Sequence, residues 1–205
     1  MFRKHAILIS VIIAVVLLVA ATQFYPGGSQ ADKNSVGYSW TNNYISNLFA
    51  PKAVNGADNA ARYWALAGML FNSIAFALFY VRFSRRISYR GPAAVIRYFG
   101  IGSMLAAFLT VTPYHDIMVT ISCTCALVSM FYIMVFAFKS KLYLMGILST
   151  LCLIVFYVST YMYYTSSFLE LLPIMQKLDF ATAIIWMLCL YYFTTAADFL
   201  PQKAQ

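Results

Sequence analysis

The chain has 205 residues, 62% of them apolar and only 10% charged, with a formal net charge of +8. Soluble domains run at about 45–50% apolar and about 25% charged, so a water-surrounded globule is excluded. A disordered chain, which needs low hydrophobicity and high charge, is excluded on the same figures.

Crossing a hydrocarbon layer of about 30 Å takes about 20 mainly apolar helical residues. Six windows meet that requirement: 6–24, 63–81, 93–112, 117–138, 142–164 and 180–197. Backbone groups in lipid must be satisfied internally, which leaves helices or a closed barrel. The windows are continuous apolar runs, not the alternating strands of a barrel. They hold most of the apolar residues, so the expected fold is all-α: a single domain over 1–205, a polytopic membrane bundle of six transmembrane helices.

The first window follows Met1 to His5 and passes through Val19-Ala20-Ala21, a pattern that also fits a cleavable signal peptide. Its continuation through Thr22 to Tyr25, and the even number of spans, favour an anchor. Residues 25–62 then form a loop longer than a connection needs. Placed on a helical period, its segment 40–49 puts Trp40, Tyr44, Ile45, Leu48 and Phe49 on one face. Asn42, Asn43, Ser46 and Asn47 fall on the other. With Ser39 as cap and Pro51 as stop, a short amphipathic helix is expected there, flat at the outer interface. Arg62 opens the second span, where a cation can grip a phosphate or pair with Asp58 or Asp116.

The second and third spans are joined by a stretch carrying Arg82, Arg85, Arg86, Arg90 and Arg97. Positive charge collects on the cytoplasmic side of membrane proteins. Of the 14 Lys and Arg, all but Lys33, Lys52, Arg62 and Lys177 fall on the side of this cluster, together with Arg3, Lys4 and Lys203. Both termini are therefore expected in the cytoplasm, in a multi-pass protein of the cell membrane. The same rule accounts for the basic charge, so no nucleic acid is expected as a partner; membrane lipids, or a membrane or periplasmic protein, are.

Small residues four apart, Gly102 and Ala106, Ser103 and Ala107, Ser122 and Ala126, suit close packing of the third and fourth spans. The hairpin between them, Thr112-Pro113-Tyr114-His115-Asp116, offers Asp116 as a cap for the fourth helix and His115 as a group that titrates near neutral pH. Tyr157, Tyr161, Tyr163 and Tyr164 form an outer aromatic belt. The last outer loop, 166–179, carries apolar residues around Pro173 and is expected to dip into the interface.

Apart from Arg97, the six windows hold no Lys, Arg, Asp, Glu or His, which argues against ion pumps and proton-coupled carriers. Asn72, Ser73 and Thr110 are neutral and suit a small cavity or helix contacts. Cys123, Cys125, Cys152 and Cys189 all lie within spans and read as packing residues. His5 and His115 fall on opposite sides, which excludes paired haem ligation; no metal or cofactor is expected. The outward clustering of polar residues leaves one candidate ligand surface: Trp40, Asn43, Ser46, Asn47, Arg62 and His115. Its expected function is non-catalytic binding of a lipid or partner protein at the outer leaflet. The alternatives are a lipid-modifying hydrolase or transferase, with Ser46 as nucleophile and His115 with Asp116 as base, and a small-solute transporter.

Tyr25-Pro26-Gly27-Gly28, then Gly37-Tyr38-Ser39-Trp40 leading into Asn43-Tyr44-Ile45-Ser46-Asn47-Leu48, then Asn59-Ala60-Ala61-Arg62, resemble the bacterial and archaeal six-span family catalogued as domain of unknown function 998. The tyrosine-isoleucine-serine core also looks like that of the Frag and DRAM proteins. The resemblance implies a six-helix membrane fold, in a family defined by topology rather than by an assigned chemistry. Its members often carry Asp after the serine, where this chain has Asn47, which removes a carboxylate from the acid–base alternative.

Overall fold

In the computed structural model, which describes residues 2–200, six α-helices follow one another: α1 (Phe2–Gln23), α2 (Ala61–Ser84), α3 (Arg90–Leu109), α4 (His115–Lys139), α5 (Tyr143–Thr165) and α6 (Leu172–Phe193). Two short 3-10 helices, Ile45–Phe49 and Ala196–Phe199, accompany them. The described residues form no strand, only the isolated bridges Gly27–Val36 and Lys52–Asp58. The side chains of Arg3 and Lys4, and all of Lys203, lie outside the described residues.

All six helices are long and apolar enough to cross a membrane. Large apolar side chains face outward along them, Val16 at 60% and Leu151 at 55% exposure. A soluble protein does not present such continuous apolar surface to water, so this is a multi-pass membrane protein. The first five expected windows each fall on one helix.

Successive helices lie side by side, α1 on α2 across the long loop and the rest through short connections, and α6 returns to touch α2. The core between them is aromatic, with Phe79, Tyr80, Phe83 and Trp186 fully buried. Trp186 Nε1 donates to Ser149 Oγ at 2.8 Å, so its polar edge is satisfied. Ser122 Oγ donates to Ser103 O at 3.0 Å, and Ser103, Ala106 and Ala126 are buried, as the small-residue spacing predicts for α3 and α4. Gly102 is not part of that contact, since nothing lies near its Cβ direction. The glycine that matters is Gly100, packed against the Tyr80 ring of α2.

At the arginine-rich end, Arg86 closes α6. Its guanidinium donates to Leu190 O and Tyr191 O, both at 2.9 Å, and to Thr194 Oγ1 at 2.7 Å. The last carbonyls of a helix have no partner of their own, and a cation there also meets the negative end of the dipole.

At the opposite end the long loop is a folded cap, and here the structure corrects the sequence reading. Residues 40–49 do not form an α-helix; only the 3-10 helix Ile45–Phe49 forms. Local side chains take the place of helical bonds. Asn43 Oδ1 accepts from Ser39 N at 2.8 Å, Ser39 Oγ from Asn42 N at 3.2 Å, and Asn47 Oδ1 from Tyr44 N at 2.8 Å. Ser, Asn and Asp offer the backbone such alternatives. Asn43, expected on a polar face, is fully buried and donates to Gly28 O at 2.8 Å. Gly27 and Gly28, at φ +141° and +80°, bring the chain close beneath; a Cβ on either would collide with Ser35 or Asn55. Leu48, Phe49 and Tyr25 fill the space below. Burial pushes the Tyr25 and Tyr44 phenols above their ordinary values, and raises Tyr38 with help from neighbouring Tyr25.

Candidate functional site: a cavity under the loop cap

The sixth helix differs most from expectation. It starts at Leu172, with Pro173 in its first turn, rather than near Phe180. Proline is accommodated there because that turn has no N–H partner to lose. Gln176, Lys177 and Asp179 thereby become helical residues within a span instead of loop residues. The expectation that Arg97 is the only ionisable residue in a span is corrected by the same shift.

Two straps hold the loop to this part of α6. Lys177 Nζ donates to Asn43 O at 2.7 Å and to Pro173 O at 2.8 Å, and lies over the Tyr38 ring. Gln176 Oε1 accepts from Ile45 N at 3.1 Å. Beneath the 3-10 helix, between the upper ends of α4, α5 and α6, a cavity of about 220 Å³ opens. Ser46, His115, Ser159, Thr160, Tyr163 and Asp179 are among its polar lining residues, beside Gln176. A second cavity of about 160 Å³ shares Met69, Phe156, Asp179 and Phe180 with the first and continues to Asn72, Tyr80 and Trp186 in the bundle centre.

His115 Nδ1 lies 3.0 Å from Asp116 Oδ1, which also accepts from Tyr163 OH at 2.7 Å. Asp116 therefore fastens α4 to α5. It sits in the first turn of α4, where its charge suits the dipole, but the N-cap position belongs to Tyr114 and no side chain caps it. Tyr164 and Thr120 make a second link between these helices, at 2.6 Å.

Of the expected ligand surface, then, Ser46 and His115 meet at one cavity, without a hydrogen bond between them. The other members lie elsewhere. Trp40 lines a separate apolar groove of about 240 Å³ with residues of α1 and α6, against Tyr38. Asn43 and Asn47 hold the loop's backbone, and Asn59 Nδ2 does the same, donating to the carbonyls of Asn47, Leu48 and Ala50. Arg62 sits in the first turn of α2 and does not line the cavity; Asp58 pairs with Lys52 at 2.6 Å instead.

The residues missed in the sequence are Ser159 and Tyr163 on α5, and Gln176 and Asp179 on α6. Their spacings of four and three are the signal; for Gln176 and Asp179 the loop expected over 166–179 hides it. His5 bonds Tyr192 at the arginine-rich end, far from His115. Among the described residues no three His, Cys, Asp or Glu come together as a metal set. No family model, no curated protein and no solved structure matches the chain.

Proposed function

We propose that the protein lies in the cell membrane with both termini in the cytoplasm and binds an amphiphile from the outer leaflet, a lipid or a lipid-like molecule, without turning it over. The observation that carries this reading is the cavity under the loop cap: mostly apolar walls with a few polar groups among them, and Tyr163 and Tyr164 of the aromatic belt in its lining. Support for the orientation is the arginine cluster at the opposite end of the bundle. The likeness of 25–62 to the six-span family belongs to the same proposal, since the loop that carries it roofs the cavity.

The test is native mass spectrometry of gently solubilised protein. A retained lipid, lost when the cavity mouth is blocked by Ser46→Trp, is the expected result; no retained lipid in the wild type overturns the reading. One arrangement favours a second reading, a hydrolase or transferase: the His115–Asp116 pair stands on the same cavity as Ser46, in the relation of base and orienting acid. If it holds, lipid extracts incubated with the protein change composition, and Ser46→Ala or His115→Ala stops the change. Unchanged extracts dismiss it.

A further inference from the structure

We propose that Asp179 is an anchor for a protonated amine, so that the amphiphile taken by the cavity is a small apolar amine rather than a neutral or anionic molecule. The inference deepens the cavity-binding reading and rests on it.

Asp179 lies about 10 Å along α6 from Leu172 at 1.5 Å per residue, on the face that lines both cavities. Its Oδ1 is buried and has no hydrogen-bond partner. It has no ion-pair partner either: the ion pairs among the described residues are Lys52–Asp58 and His115–Asp116. Lys177, the nearest cation along the helix, points to a different face and is engaged by Asn43 and Pro173.

A carboxyl set into an apolar helix without a partner is costly, and such residues mark ligand or ion pathways. Two further polar groups are left open around it. Ser159, 7% exposed, faces Asp179 from α5 without a well-formed hydrogen bond to it or to any other group. Asn72, 6% exposed, lines the deeper cavity with its Oδ1 unpaired.

Two oxygens without donors, Asp179 Oδ1 and Asn72 Oδ1, beside the unengaged Ser159 hydroxyl, call for a ligand that brings several N–H groups and a positive charge. The walls fit the same ligand: Phe156 and Phe180 flank Asp179 in both cavities, and aromatic faces attract ammonium groups. A phospholipid amine would carry its phosphate to the same depth, and neither cavity is lined by a Lys or Arg to receive it. The chemistry therefore fits an amine without a phosphate.

The test uses the full chain in phosphatidylglycerol nanodiscs, with binding read from tryptophan fluorescence, Trp186 lying on the deeper cavity. The probes are phenethylamine and its uncharged counterpart 2-phenylethanol. Phenethylamine is expected to bind about tenfold tighter or more. Asp179→Asn should remove that preference, and a cooperative melting transition of the variant, read separately, reports that it is folded. Asn72→Ala should weaken the amine more than the alcohol. Equal affinities in the wild type, or a preference that survives Asp179→Asn, overturn the amine assignment and leave the cavity reading standing. No binding of either probe overturns both. A repeat with phosphatidylethanolamine in the disc tells the source: unchanged phenethylamine affinity supports the free amine, and competitive loss overturns it in favour of the headgroup.

Discussion

Asparagines at two places in this protein look alike in sequence and have opposite meanings. Asn43 has its side-chain groups satisfied by Ser39, Gly28 and Asn47, so its work is done inside the loop cap. Truncation to Ala leaves the buried Gly28 O and the half-buried Ser39 N without partners, which costs about 1–3 kcal/mol. The expected outcome is a clear drop in the thermal midpoint of the purified protein, and a midpoint within error of wild type refutes the assignment. Asn72 and Asp179 carry unpaired buried oxygens, so the sign reverses. Asp179→Asn removes the cost of holding a carboxyl away from water and should raise the midpoint of the ligand-free protein, by an amount on the order of 1 kcal/mol. Proteins keep such unfavourable groups where function needs them, and a melting curve that falls instead would show that Asp179 supports the fold.

At the scale of elements, α6 is fastened at both ends by residues distant in sequence: Lys177 and Gln176 to the loop above, Arg86 to its last carbonyls below. Arg86→Ala should free three acceptors at once and lower stability by about 1–3 kcal/mol. Arg86→Lys restores the charge but not the planar fork and should recover only part of the loss, read by thermal denaturation. On α3, Gly100→Ala would press a methyl into the Tyr80 ring; overpacking of this kind costs about 1–3 kcal/mol, whereas Gly102→Ala, with open space beside it, should be neutral. Five helices were legible in the sequence because lipid leaves a chain little choice: an apolar run of sufficient length becomes a span. The start of α6 was not, since averaging hydropathy over Gln176, Lys177 and Asp179 hides a helix whose polar residues face inward. The loop was misread for a different reason. Helical periodicity in 40–49 is real, but Ser39, Asn43 and Asn47 bond the backbone locally and divert it from the α-helix.

For the whole molecule, the distribution of polar groups gives the bundle two unlike ends. One carries the arginines, the His5–Tyr192 contact and the Arg86 clamp; the other carries the loop cap, the His115–Asp116 pair and the cavity. Ser46 and His115 were within reach of sequence reasoning because both sit at this second end, while the depth of the cavity depends on α5 and α6 facing each other, a tertiary fact that no local pattern encodes. Which end faces out decides what the cavity can meet, so orientation is the property on which the functional reading turns. It can be measured with single cysteines in a background where Cys123, Cys125, Cys152 and Cys189 are replaced; Cys123 in particular lines the cavity under the loop cap. Asn34 and Ser88 are exposed, one in the loop cap and the other beside the arginines. Asn34→Cys should be modified by an impermeant maleimide in intact cells, and Ser88→Cys only after the membrane is opened. Neither change alters a charge, so the labelling reports the orientation that the arginines themselves impose. The reverse pattern would place the cavity mouth at the cytoplasmic leaflet, where an amphiphile from outside could not enter it.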